Sequence, residues 1–286
     1  MDIKLVERAK DMSIQIRRDI LRMISEAGHG HPGGALGAAD VLSTLYSGGM
    51  RVFDESIGPR DRLILSNGHI CAGWYSALSL AGCMERSLLA GFRRLGSPLQ
   101  GHPSKKHLPE WVETSTGPLG QGASVANGIA LGLRASGSDS RVFVLVGDGE
   151  MQEGLVWEAM MTAPQFQLGN VVLFVLWNGL QIDGSIAQVK NLDHMADRLR
   201  AFGWETLEVD GHDIPAIVGV LDRPRVSKAR PLAIVARTTM SKGVPFMEDD
   251  RKWHGGCPSK DQVYQALALI GEAAGFSDFP AAGGIK

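Results

Sequence analysis

An α/β fold with a mostly parallel sheet flanked by helices is predicted by three features of the 286-residue sequence. Short apolar runs alternate with helical patterns in the second half, as in repeated βαβ units. Two of these runs lead directly into glycine turns that carry a polar residue, as expected at the ligand-binding edge of a parallel sheet. No Ser/Pro-rich or single-charge linker divides the chain. We therefore expect one domain over residues 1–274, followed by a flexible tail at 275–286 that is rich in Gly and Ala.

The first half of the chain is predicted to be mainly helical. Apolar residues recur every three or four positions up to Ala27, and Gly28 ends this amphipathic pattern. A later Gly-, Ala- and Ser-rich stretch predicts a helix in which Gly122, Gly128 and Gly132 mostly serve close packing. The other predicted elements are a helix over Asp40–Tyr46, a short buried strand over Arg62–Ser66 and a helix over Cys71–Ala81.

The second half alternates between strands and helices. The predicted strands are Arg141–Val146, Val171–Trp177, Trp204–Val209 and Leu232–Thr238. The predicted helices are Gly154–Ala163, Met195–Phe202 and Ile214–Leu221. Such a series implies helices on both faces of the sheet and ligands beyond the carboxyl ends of its strands.

Composition argues against several classes of function. The formal net charge of −2 provides no positive field for nucleic acid, so no nucleic-acid partner is expected. The longest apolar run, Val171–Trp177, is too short to span a bilayer, and no secretory signal pattern begins the sequence. Cys71, Cys83 and Cys257 form no paired motif, and we interpret them as packing residues. A cytoplasmic protein without a membrane partner is expected.

Asp148 and Asn178 are candidates for a metal site. Each follows a predicted strand, and right-handed crossovers bring the ends of consecutive parallel strands to the same edge of a sheet. A carboxylate and an amide oxygen there suit Mg2+ carrying a phosphate, with the Gly149 N–H facing the same anion. The alternative is that Gly147-Asp148-Gly149 is only a turn with a helix-capping Asp.

The residue pattern around this candidate site is similar to that of a known family. Gly147-Asp148-Gly149, followed thirty positions after Asp148 by Asn178 and then Asp183, resembles the thiamine-diphosphate signature of the transketolases. Other short motifs occur in that family's order along nearly the whole chain: Gly30–Gly33, Ser66–His69, Gly101–Pro103, Thr116–Gly122, Gly149–Gly154, Asp210–Asp213 and His254–Gly255. The resemblance implies a thiamine-diphosphate-binding fold of the diphosphate-binding type.

The resemblance implies a role for each matching residue. Asp148, Asn178 and the backbone carbonyl of Leu180 correspond to the Mg2+ ligands, and Gly117 and Gly149 lie in the cofactor-binding motifs. His69 corresponds to a residue that contacts the cofactor diphosphate, and Leu119 to one that packs on the aminopyrimidine ring. The remaining correspondences are His102 with a residue that holds the C1 hydroxyl of the ketose donor, His31 and His254 with residues that flank the reacting carbon, and Glu153 with an interface glutamate of a proton relay.

Imidazoles suit such a site because they change between neutral and cationic forms near neutral pH. For His29, His107 and His194 we expect only a surface or structural role. Glu150 has a strong alternative interpretation as a solvated glutamate near a helix N-terminus.

Two departures from the family pattern stand out. Leu176 and Trp177 precede the metal-site Asn where the family often has acidic or small polar residues, which changes the floor of the site. The sequence also ends where the family's second domain begins. The resemblance therefore implies a C-terminal transketolase subunit carrying the pyrimidine-binding domain, with two copies of each chain.

The expected activity is a transketolase-type transfer of a two-carbon ketol unit from a ketose or ketose phosphate to an aldose. A specialised enzyme that uses an unusual acceptor, such as an acyl thioester, is an alternative. A noncatalytic remnant is disfavoured by the intact metal and histidine positions. A nicotinamide-binding enzyme that uses Gly120 and Gly122 is disfavoured because no predicted strand precedes that turn.

Overall fold

The computed structural model describes residues 2–52, 59–222 and 230–280. The strands in this part are β1 (Arg62–Leu65), β2 (Val142–Gly147), β3 (Val171–Trp177), β4 (Leu180–Gln181), β5 (Gly184–Ser185), β6 (Glu205–Asp210) and β7 (Leu232–Arg237). Five of them form a sheet in the order β1-β2-β3-β7-β6, and every neighbouring pair is parallel. β4 and β5 form a separate antiparallel hairpin. The predicted α/β class with a parallel sheet is confirmed.

Helices cover this sheet. They are α1 (Ile3–Ala27), α2 (Pro32–Gly37), α3 (Ala39–Thr44), α4 (Cys71–Leu80), α5 (Gln121–Ala135), α6 (Gly154–Gln165), α7 (Ile186–Val189), α8 (Met195–Ala201), α9 (Ile214–Leu221) and α10 (Lys260–Ile270). Short 3-10 turns lie at Gly68–Ile70, Arg86–Gly91, Glu150–Gln152 and Arg251–Trp253, and Leu45–Gly49 continues α3 as a wider turn. None of the helices in the described ranges combines the length and apolar character that a bilayer crossing requires.

Alternate residues of the strands pack into two separate cores. Along β2, Phe143 and Leu145 belong to the core that includes residues of α1, α3 and α4. Val144 and Val146 belong to the other core, which includes residues of α5, α6 and α8. This alternation follows from the two-residue period of a strand, and it leaves both faces of the sheet buried.

Two close approaches of the backbone fix α2, which begins directly after His31. A Cβ atom added to Gly33 would lie 2.7 Å from the Trp253 carbonyl oxygen, so this crossing requires a glycine. The Ser241 N–H donates to the Gly33 carbonyl at 2.8 Å. These contacts place His31 beside the carboxyl ends of the strands.

Most sequence-predicted boundaries lie within two residues of the observed ones. The predicted first helix, for example, ends at the left-handed Gly28 as expected. The β4–β5 hairpin, α7 and α10 were not predicted. For α10 the sequence contains a usable signal, because Ser259 and Gln262 form a reciprocal capping box at its start.

The prediction of a flexible tail over 275–286 is wrong for residues 275–280. The Phe279 side chain is buried, and the Arg22 guanidinium lies 4.3 Å from the centre of its ring. The Asp278 carboxylate accepts hydrogen bonds from Arg18 at 2.8 and 2.9 Å. Residues 281–286 lie outside the described residues.

Candidate active site

A cavity of about 370 Å³ opens at the carboxyl ends of the strands. The structure brings every site residue predicted from the sequence to its lining: His31, His69, His102, Gly117, Leu119, Asp148, Gly149, Glu153, Asn178, Leu180 and His254. These residues come from six separate segments of the chain, so the parallel sheet and its loops are what assemble them.

Asp148 lies at the end of β2 and is almost completely buried. Its carboxylate accepts hydrogen bonds from the Gly149 N–H at 2.8 Å and from the Gly179 N–H at 2.5 Å. Because one of these bonds comes from the turn after β3, Asp148 links two strand ends and is more than a helix cap. The expectation that the Gly149 N–H faces a bound anion is not met, since that donor is used by Asp148.

Burial raises the pKa of Asp148 to about 6, because a carboxylate in this position has little solvent around it. Within the described residues it forms no ion pair that would offset the negative charge. A carboxylate in such surroundings gains from a bound cation.

Several oxygen atoms around Asp148 fit a hydrated divalent metal. The Asn178 amide oxygen accepts only the Leu180 N–H, at 2.9 Å. The buried amide oxygens of Asn67 and Gln181, which also line the cavity, have no hydrogen-bond donor in the described part of the chain. No cluster of three or more His, Cys, Asp or Glu residues suited to a metal occurs among the described residues. A metal here would therefore take amide, carbonyl, water and phosphate oxygens beside one carboxylate, the ligands that Mg2+ uses with phosphates.

Four histidine rings lie together on the opposite side of the cavity. The His31 ring centre is 5.2 Å from that of His69, 6.1 Å from that of His102 and 5.9 Å from that of His254. The centres of His69 and His254 are 5.2 Å apart. Such a group offers several nitrogen donors and acceptors to a small polar ligand.

Burial and mutual repulsion keep these histidines neutral. Burial, followed by the charges of His254, His102 and Arg93, lowers the pKa of His31 to about 4. Burial and the neighbouring histidines lower the pKa of His69 to about 3. Burial also lowers the pKa values of His102 and His254. The expectation that these imidazoles change their charge near neutral pH is therefore wrong for His31 and His69 in this chain.

The loop before α5 forms another wall. Gly120 has a left-handed backbone, with φ of 84°, and Leu119 before it is 38% exposed toward the cavity. Glu153, at the start of α6, is exposed at the rim. Leu176 forms part of the wall, as its unusual position in the sequence suggested, whereas Trp177 packs beneath the Arg237 guanidinium.

Glu150 is the residue that the sequence interpretation missed. Its side chain is only 2% exposed, so the interpretation as a solvated helix-terminal glutamate is wrong. Its carboxylate accepts hydrogen bonds from the Ser66 hydroxyl, from the Gly120 N–H at 2.8 Å and from the Gly147 N–H at 3.2 Å. No local pattern reveals these contacts, because two of the three donors lie in other segments of the sequence.

Residues set aside from the site mostly behave as expected. The structural or surface role of His29, His107 and His194 is confirmed, since all three are exposed. Cys71 is buried and Cys83 packs against the core. The interpretation of Cys257 as a packing residue is wrong, because it is exposed. No strand of the described chain directly precedes Gly120, which agrees with the argument against a dinucleotide site.

Comparison with known proteins places this geometry in a family. A protein family described as "Transketolase, thiamine diphosphate binding domain" matches residues 9–277. One of the two chains of the apulose-4-phosphate transketolase of Phocaeicola vulgatus is 35% identical over 269 residues, which cover 93% of this chain and 95% of that protein. The 6-deoxy-6-sulfo-D-fructose transketolase subunit SqwG of a Clostridium species is 35% identical over 257 residues, covering 89% and 93% of the two chains.

Solved structures have the same fold. A transketolase from Campylobacter jejuni superimposes with a TM-score of 0.84 at 33% identity, and one from Leishmania mexicana with 0.85 at 29% identity. These matches cover 98% and 97% of this chain but only 45% and 43% of the two transketolases. The chain thus spans less than half the length of those enzymes.

Proposed function

This chain belongs to the transketolase family, to which it is matched through the thiamine-diphosphate-binding domain, and on that premise we propose that it is one subunit of a split transketolase. Its substrates would be sugars or sugar phosphates, from which a two-carbon ketol unit passes to an aldose. The observation that carries the proposal is a single cavity in which Asp148 and Asn178 face four neutral histidines.

Relatives support the proposal that the chain is one part of a larger enzyme. Two proteins that this chain matches over more than nine-tenths of their length are themselves named as transketolase subunits. Their names refer to sugar-type substrates, one a phosphate and one a sulfonate. We propose the same substrate class here, together with a partner subunit that carries the pyrimidine-binding domain.

The cofactor would be held from three sides. Asp148, Asn178 and the Leu180 carbonyl would bind Mg2+, since a buried carboxylate without a cation and a weakly engaged amide oxygen lie together there. His69 would donate to the diphosphate, and Leu119 would support the aminopyrimidine ring from its exposed position. Bound thiamine diphosphate supplies the electron sink for cleavage of the bond next to a ketose carbonyl.

The histidines would handle the substrate's oxygens. A neutral imidazole N–H donates to an oxygen as that oxygen gains charge, and a neutral ring nitrogen can then accept a proton. His102, on the open side of the cluster, would hold the donor hydroxyl, while His31 and His254 would flank the reacting carbon. The buried Nδ1 atom of His31 has no partner in the described part of the chain, so it remains available for such a contact.

The partner would contact α5 and the rim at Glu153. Within the chain, a Cβ added to Gly128 or Gly132 would meet nothing within 4 Å, and both glycines are exposed. The prediction that these glycines serve packing inside the chain is therefore wrong for both, whereas it is confirmed for Gly122 against Ser66. We propose that this small-residue face meets another subunit in an assembly with two copies of each chain.

Reconstitution tests the proposal. The purified chain, saturated with Mg2+ and thiamine diphosphate, is assayed for ketol transfer from xylulose 5-phosphate to ribose 5-phosphate, alone and with the polypeptide encoded beside it. We expect activity only in the mixture. Full activity of the chain alone would refute the split-enzyme proposal. Donor cleavage in the mixture without transfer to any aldose, but with transfer to an acyl thioester, would replace the proposed acceptor class.

A further inference from the structure

Glu150 forms a joint between three segments that surround the cavity. Its Oε1 atom accepts from the Ser66 hydroxyl after β1 and from the Gly120 N–H before α5. Its Oε2 atom accepts from the Gly147 N–H at the end of β2. We infer that Glu150 is a positioning residue, which fixes the loop carrying Leu119 relative to the metal-binding end of β2.

A second hydrogen bond strengthens the same joint. The Ser66 hydroxyl, which donates to Glu150, also accepts the Gly122 N–H at 3.1 Å. Two backbone donors at the start of α5, those of Gly120 and Gly122, are thus used by Glu150 and Ser66. Close packing adds to this, because a Cβ on Gly122 would lie 2.5 Å from the Ser66 side chain. The loop position therefore depends on Glu150 directly and through Ser66.

The chemistry of the carboxylate explains why this position is occupied by Glu. Among the described residues Glu150 forms no ion pair, and its negative charge is balanced by hydrogen-bond donors, among them backbone groups at a helix N-terminus. Only a group that accepts on both terminal atoms can satisfy all three donors. Glutamine would satisfy at most two of the three with its oxygen, because its amide nitrogen is only a donor.

The consequence concerns which part of the cofactor depends on Glu150. Leu119 immediately precedes Gly120, so displacement of the Gly120 backbone moves the proposed support of the aminopyrimidine ring. Asp148, by contrast, is held by its own bonds from Gly149 and Gly179. This inference rests on the proposed function, and it predicts that loss of Glu150 harms binding of the whole cofactor more than binding of its diphosphate alone.

Isothermal titration calorimetry with two probes tests this. Thiamine diphosphate and inorganic pyrophosphate, each with Mg2+, are titrated into the wild-type chain and into Glu150→Ala and Glu150→Gln. We expect Glu150→Ala to weaken thiamine diphosphate binding at least tenfold and pyrophosphate binding less than threefold. Glu150→Gln should recover part of the loss, because it restores acceptors for part of the joint.

A matched control separates positioning from general destabilisation. Asn127, also buried on α5, donates to the Ala159 carbonyl at 2.9 Å and has no contact with the joint. Asn127→Ala should lower the melting temperature without a selective loss of thiamine diphosphate affinity. If Glu150→Ala fails to fold, Glu150→Gln and Ser66→Ala provide the same comparison between probes.

Equal losses for both probes, unchanged thiamine diphosphate affinity, or an Asn127→Ala profile like that of Glu150→Ala would each overturn the inference. Failure of the wild-type chain to bind thiamine diphosphate would instead count against the proposed function.

Discussion

Acid should destabilise the chain through its histidine cluster. The pKa of His31 lies at about 4 because of burial and the nearby positive charges, compared with 6.5 for an ordinary histidine. The folded state therefore binds fewer protons than the unfolded state between these two values. Above pH 6.5 the difference vanishes, and stability is lost as the pH falls from about 6.5 toward 4.

The size of this loss can be derived from the pKa change. Each tenfold change in proton affinity corresponds to about 1.4 kcal/mol, so a decrease in pKa from 6.5 to about 4 gives at most ~3 kcal/mol. Because His31 keeps some contact with solvent in the cavity, we expect about 1–2 kcal/mol for this residue. His69, whose pKa is lowered to about 3, acts in the same direction.

Urea unfolding at pH 7.5 and pH 4.5 measures the effect. His31→Asn removes the titrating group, so the variant should lose about 1–2 kcal/mol less than the wild type on acidification. His29→Asn, which changes an exposed histidine, should lose as much as the wild type. A pH dependence of His31→Asn equal to that of the wild type would refute the account of a neutral, buried histidine cluster.

Three further predictions follow from the site and its surroundings. Asp148→Ala should abolish the Mg2+ dependence of thiamine diphosphate binding in calorimetry, because the metal loses its only carboxylate ligand from this chain; unchanged affinity would contradict the metal site. Gly122→Ala should cost about 1–3 kcal/mol in urea unfolding, because the new Cβ meets Ser66 at 2.5 Å, while Gly128→Ala, with free space, should stabilise α5 by about 0.5–1 kcal/mol. In the reconstituted enzyme, His102→Ala should lower kcat/KM far more than cofactor affinity, and comparable losses of both would reject its role at the substrate.

The sequence contained enough information for the sheet and for the identity of the site residues. The apolar run Val171–Trp177 is buried nearly throughout and matches β3 in both bounds, because a strand covered on both faces needs no polar alternation. Asp148 and Asn178 were placed at one cavity from their positions after consecutive strands, and the structure confirms their proximity to the same lining.

Properties that depend on tertiary surroundings could not be derived in this way. The low pKa of His69 results from burial among histidines contributed by distant segments, so an isolated motif suggests ordinary titration instead. Glu150 is similar, because its donors at Ser66 and Gly120 are brought near only by the fold. The ordered contact of Phe279 with Arg22 contradicted a composition-based expectation for the same reason.

The position of a bound metal tests the central claim most directly. Crystals of the chain grown with thiamine diphosphate and Mn2+ in place of Mg2+ would reveal the ion in an anomalous difference map. We expect one strong peak at about 2.0–2.3 Å from the Asp148 carboxylate, the Asn178 amide oxygen and the Leu180 carbonyl oxygen, next to the diphosphate. A diphosphate bound elsewhere, or a metal peak away from Asp148 and Asn178, would contradict the account.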